Sequence, residues 1–241
     1  MKRVLLSGLM VLLTVSVSNA GFFDDLTKGM GLPAVESGAG ALDEGTIARG
    51  LKEALATGTD RAVKSVSRTD GYYGNQAIRI LMPEKIRNVA DVLGKIGFRK
   101  EVDDFVLSMN RAAEKAAPQA VDYFTSALKD MSIEDAGKIL KGGDTAATEY
   151  FRSKTGDKIF SAFKPIVSAS MNEVGTSRSY KELIQKYEDV PFVPTAELDL
   201  DKYVTTKSVD GLFHMLGEEE KKIRTNPAAR ATDLLKKVFG K

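Results

Sequence analysis

Between residues 100 and 130, in KEVDDFVLSMNRAAEKAAPQAVDYFTSALKD, apolar side chains return every three or four positions. Val102, Val106, Met109, Ala113, Ala116 and Ala120 trace one side of a helix, and Phe105, Ala112, Phe124 and Leu128 widen that side. Such a stripe must be buried, and its alanines both favour the helix and admit a close neighbour. The segment therefore constrains the chain to helix-on-helix packing. Pro118 lacks the amide hydrogen that a continuous ladder needs, which predicts a kink or break near Ala116.

The same period runs through most of the chain. Ile47, Leu51, Ala54, Leu55, Ala62, Val63 and Val66 predict a helix or helix pair, interrupted around Gly58. DGYYGN resets the pattern at Gly71 and Gly74. Pro83 then fits the first turn of a helix carrying Ile86, Val89, Ala90, Val92, Leu93 and Ile96, and Gly97 ends it. Ser132 with Asp135 reads as a helix-starting cap before Ile133, Ala136, Ile139 and Leu140, with Gly142 and Gly143 as its stop. Asp144 is expected to cap DTAATEYFRSKT, and Gly156 to separate that helix from DKIFSAFKPIVSASMNEV, where Pro165 predicts a kink. A helix over 180–187, a proline-broken stretch through Pro191 and Pro194, a long helical pattern through Tyr203, Val209, Leu212, Phe213 and Leu216, and a last helix after Asn226 and Pro227 complete the pass.

The expected fold class is all-α: a compact array of about eight to eleven short helices, kinked near Pro118 and Pro165 and not a simple coiled coil, since neither a tandem repeat nor a heptad array is present. One domain over 44–241 is the preferred division, and a split around 142–156 is the alternative.

The first twenty residues carry Lys2 and Arg3, an apolar run from Val4 to Val17, and the small residues Ser18 and Ala20. This is the pattern of a signal peptide cut after Ala20. An uncleaved anchor is the competing reading, disfavoured by a short run broken at Ser7, Gly8, Thr14 and Ser16. Residues 21–43, rich in glycine, read as a flexible N-terminal segment. The total of 35 basic against 33 acidic residues becomes an equal balance once Lys2 and Arg3 leave. The global pull towards nucleic acid or anionic lipid is then absent, so nucleic acid is not an expected partner. Cysteine is absent throughout. Disulfides and a lipoprotein anchor are thereby excluded, and the expected address is the periplasm, with no membrane span after signal cleavage.

Several separated blocks carry a family resemblance: IARGLKEAL at 47–55, DGYYGN at 70–75, MNRAAEKAAP at 109–118, DAGKILKGGDTAATEYFRSKT at 135–155, and KSVDGLFHMLGEEEKKIRTNPAARATDLLKKVFG at 207–240. In these the chain resembles a bacterial family of exported proteins, domain of unknown function 4197 (DUF4197), over nearly all of its length after the leader. The resemblance brings no catalytic set to transfer.

The residues themselves narrow the chemistry. His214 is the lone histidine and cysteine is missing, which removes the common zinc and copper arrangements and cysteine nucleophiles; in GLFHMLG it reads as packing or surface. DLDK at 199–202 lacks the ligand spacing of a calcium loop and reads as a turn or cap. KGGDTAAT lacks the residue order of a phosphate loop, so a cap and tight turn outweigh anion binding. EEEKKIR at 218–224 reads as a charged outer face. No catalytic residue, metal ligand or cofactor is assigned.

Two segments remain as candidates for binding a ligand or partner. DGYYGN offers Asp70, Tyr72, Tyr73 and Asn75 beside two glycines, suited to recognition and also to a structural turn. MNRAAEK places Asn110 and Glu114 on one helical stripe with Arg111 beside them, able to orient a ligand or to fix packing. The expected function is a non-enzymatic periplasmic protein that recognises another envelope protein or self-associates. Binding of a small amphipathic or anionic molecule is the first alternative, and a carboxylate-based hydrolase a weaker one.

Overall fold

The computed structural model describes residues 43–173 and 199–226, all within the compact unit Leu42–Lys241. It is an all-α array. Seven α-helices and one 3-10 turn are present among the described residues: α1 Glu44–Ser67, α2 Glu84–Lys95, α3 Arg99–Ala116, the turn Ala117–Gln119, α4 Ala120–Asp130, α5 Ile133–Lys141, α6 Ala146–Glu173 and α7 Leu200–Thr225. The expected helix at 180–187, the proline-broken stretch around Pro191 and Pro194, and the helix after Pro227 lie outside the described residues.

The helix starts follow local chemistry. The Asp43 carboxylate accepts from the Thr46 amide and hydroxyl, both at 2.8 Å, and opens α1. Ser132 and Asp135 form the reciprocal capping box of α5. Asp199 caps α7 by accepting from the Lys202 amide at 2.8 Å, so the DLDK run is a helix start. At the end of α2, Gly97 adopts φ +104°, and the Phe98 amide reaches back to the Leu93 carbonyl at 2.9 Å. That is a left-handed glycine termination. The Pro118 break also appears, as the 3-10 turn between α3 and α4.

Two expected interruptions do not occur. Helix α1 runs unbroken through Gly58, and α6 through Gly156 and Pro165. A Cβ on Gly58 would lie 3.3 Å from Ile223 Cδ1, so this glycine marks where α7 closes on α1 rather than where α1 ends. Along α6, Ala147, Phe151, Thr155, Ile159, Phe163, Val167 and Met171 form one buried row at four-residue spacing. That continuous burial outweighs the propensity cost of Gly156, and Pro165 is accommodated on the exposed side.

The core lies where α3 and α7 pack against α6, while α1 covers α7 and carries α4 and α5 on its own flank. Ala112, Ala113, Ala116, Ala117 and Ala120 are fully buried, which lets the neighbours of α3 approach closely. Phe124 meets Phe151 and Phe213 edge-on, with ring centroids 5.2 and 5.8 Å apart. Among the elements described, α2 packs chiefly on α3 and stands at the periphery.

Candidate functional site

All seven candidate residues converge, and they do so to hold the chain to itself. The turn at 68–78 lies against α3 and α7. Asp70 takes φ 62°, a left-handed conformation that an aspartate tolerates, and a Cβ on Gly71 would fall 2.4 Å from the Val66 carbonyl oxygen. Glu114, buried on α3, accepts from the Tyr72 amide at 3.1 Å and the Tyr73 amide at 3.2 Å. Arg111 donates to Glu114 at 2.6 Å and to Asp70 at 2.7 Å, closing the cluster. Ion pairing with Glu114 and Asp70 raises the Arg111 guanidinium above its ordinary range.

Asn110 does the work of a neighbouring strand. Its carboxamide accepts from the Ile80 amide and donates to the Ile80 carbonyl, both at 2.8 Å, and also donates to the Val106 carbonyl. Asn75 accepts from the Ala77 amide at 3.0 Å and donates to Met215 Sδ at 3.3 Å. Every one of these contacts is internal.

Tyr72 is fully buried and donates its hydroxyl to the Ser208 carbonyl on α7 at 2.5 Å. Its ring lies over Gly211, where a Cβ would come 2.6 Å from Tyr72 Cε1. Burial, reinforced by the Glu114 charge, pushes the phenol well above its ordinary value of 10.0. A raised folded-state value contributes stability that is complete below pH 10 and lost as pH rises beyond it. We expect stability to fall above about pH 10 with a Tyr72 contribution of up to about 1.4 kcal/mol per pH unit. Denaturant titrations of the wild type and Tyr72→Phe at stepped pH check this, since the variant should lose that part of the slope.

The anchored turn leads into residues 78–82, where burial alternates: Ile78, Ile80 and Met82 are buried, Arg79 is partly exposed, and Leu81 is 54% exposed. Alternation with period two is the behaviour of extended chain. Since Asn110 takes both polar groups of Ile80, those of Leu81 face the other way, and the Leu81 carbonyl accepts from the Tyr203 hydroxyl of α7 at 3.0 Å. Between this segment and α7 lies a groove of about 660 Å3 lined by Arg79, Leu81, Arg87, Tyr203, Lys207 and His214 among others. None of the seven sequence candidates lines it. Their part is to hold one of its walls.

The charges of the groove are unevenly paired. Asp210 is held by Arg152 at 3.0 Å and Glu84 by Arg87 at 3.8 Å. Arg79 lies over the Tyr73 ring with its guanidinium carbon 4.0 Å from the ring centre, and Lys207 stands 5.9 Å from the Tyr203 ring centre; neither has a carboxylate partner among the described residues. Sequence reading missed Arg79, Leu81 and Lys207. The alternation of Ile78, Ile80 and Met82 just before Pro83 was the available signal.

Two further readings change. EEEKKIR is only partly an outer face, because Glu219, Glu220 and Ile223 are buried. Asp144 does not cap α6; Glu220 does, accepting from the Ala147 amide at 2.9 Å and from the Thr148 amide and hydroxyl, both at 2.8 Å. The anion at that helix start is thus the chain's own carboxylate, neutralised by Arg224 at 2.8 Å.

Among the described residues there is no grouping of His, Asp and Glu able to hold a metal ion, and no helix long and apolar enough to cross a membrane. No curated protein and no solved structure matches the chain. A family model described as a protein of unknown function, DUF4197, matches residues 41–240, and the chain belongs to that family.

Proposed function

We propose that this chain is a non-enzymatic recognition protein of the bacterial periplasm, exported by the leader ending at Ala20, and that it takes a stretch of partner polypeptide along residues 79–83. The observation that carries the reading is the extended segment itself. Its inner edge is satisfied by Asn110, while the Leu81 amide has no protein hydrogen-bond partner among the described residues. A peptide laid along the groove beside this segment would accept from the Leu81 amide and set a side chain against Leu81. Of the groove's two carboxylates, Asp210 is paired with Arg152 and Glu84 is exposed at the start of α2, which counts against the hydrolase reading.

A photoreactive phenylalanine analogue at Leu81, with the full-length chain in its natural envelope, tests this. We expect one discrete polypeptide adduct from Leu81 and none from Ile133, which is equally exposed on α5. Equal adducts from both sites, or none from Leu81, would sink the reading. The groove also keeps a second reading specific: a small anionic molecule held there would appear as a reproducible adduct in the intact native mass, with no crosslinked polypeptide. An adduct of the chain with itself would make the partner a second copy.

A further inference from the structure

We infer that Arg79 and Lys207 form an anion subsite in the groove that takes the carboxylate of an acidic side chain on the docked peptide. This deepens the recognition reading above and rests on it. The Arg79 Nε is buried and finds no acceptor among the described residues, although a desolvated donor left without an acceptor is disfavoured. The guanidinium meanwhile lies over Tyr73, so one face is held and its orientation is set before any ligand arrives. Tyr73 is itself fixed through its backbone amide by Glu114. A guanidinium held in this way presents a planar fork suited to a carboxylate.

Lys207 supplies the second charge from the opposite wall. It lines the same groove from α7, and of the two acids beside it Asp210 is paired with Arg152, while the exposed Glu84 stands 3.8 Å from Arg87. Leu81 and Tyr203, both lining the groove, add apolar surface beside the charges. In an extended peptide, side chains two positions apart share a face, so an acidic residue flanked at that spacing by apolar ones would match the lining. A neutral or basic peptide would leave both cations uncompensated.

The test uses the full chain and three probes: a short blocked peptide Val-Ser-Asp-Ser-Val, in which the aspartate and the two valines share one face, the same peptide with asparagine for aspartate, and inorganic phosphate. Binding is read from chemical-shift titration of the Leu81 amide. We expect the aspartate peptide to bind at least tenfold more tightly than its asparagine counterpart, with the preference shrinking as salt is raised. Arg79→Gln and Lys207→Gln should each remove most of that preference, and Arg79→Lys should keep only part of it. Circular dichroism identifies any variant that has lost its fold, and the Lys207 variant, altered on an exposed stretch of α7, keeps the question open to decision if Arg79→Gln does not fold. Equal binding of the two peptides overturns the subsite while leaving peptide recognition standing. Phosphate binding without peptide binding overturns it in favour of a small-anion receptor, and binding of no probe removes both readings.

Discussion

Replacing Glu220 with alanine is expected to destabilise the chain by about 3–5 kcal/mol, the range for removing one member of a buried, hydrogen-bonded ion pair. Three donors lose their acceptor at once: the amides of Ala147 and Thr148 and the Thr148 hydroxyl. The two amides belong to the first turn of α6, where no carbonyl of that helix can reach them. Arg224 loses two hydrogen bonds to Glu220 but keeps its bond to the Ile139 carbonyl at 2.8 Å, so the end of α5 stays attached while the start of α6 is released. That loss is a large fraction of the roughly 5–15 kcal/mol by which an ordinary domain is stable. Two controls separate the clamp from generic charge loss. Thr148→Val, which removes only the hydroxyl bond, should cost about 1 kcal/mol, and Glu218→Ala, at an exposed position of the same run, should stay within about 0.5 kcal/mol of wild type. Urea unfolding followed by far-UV circular dichroism measures all three. A Glu220→Ala loss no larger than that of Glu218→Ala would show that α6 does not depend on this carboxylate.

Much of the helical framework was legible because it depends on residues close in sequence. The Ser132–Asp135 box, the glycine termination at Gly97 and the break at Pro118 each follow from groups within a few positions of one another. The misplaced interruptions arose where a distant partner decided the outcome. Gly58 reads as a breaker until Ile223 is known to press against it, and Gly156 reads so until the row from Ala147 to Met171 is seen to be buried throughout. Glu220 shows the same limit and also an overlooked clue. It follows Leu212 and Leu216 at four-residue spacing, so helical geometry alone placed it on the inward side. What no local pattern could reveal is that the start of α6 arrives at that place. The candidate site divides in the same way. Asp70, Tyr72, Tyr73, Asn75, Asn110, Arg111 and Glu114 do converge, but each candidate's partners turn out to be groups of the chain itself, whereas the groove depends on Arg79, Leu81 and Lys207, which carry no motif.

Glu114→Ala carries the second large expected effect, and it links the clamp to the groove. The substitution removes the acceptor shared by the Tyr72 and Tyr73 amides and one of the two acidic partners of Arg111. A loss of about 3–5 kcal/mol is again expected, because the carboxylate is buried and paired. Its distribution should differ from that at Glu220. Helix α3 retains its own backbone ladder and its alanine-lined packing, so the helical signal should persist at low temperature. The turn at 70–75 and the extended segment after it should lose their protection first. Hydrogen exchange at the Tyr72, Tyr73 and Ile80 amides reads this directly: the first two lose their acceptor outright, and Ile80, still bonded to Asn110, should exchange faster only as far as the turn drags the segment away. Asn110→Ala gives the complementary pattern, exposing Ile80 while Glu114 continues to protect the tyrosine amides. If Glu114→Ala accelerated exchange evenly over all seven helices, the turn and the helices would be one cooperative unit. If the loss stays local, the wall of the groove is a separately anchored strap, and its two anchors on α3, Glu114 and Asn110, set with the α7 contacts of Tyr72 and Leu81 how rigidly Arg79 and Leu81 are presented to whatever enters.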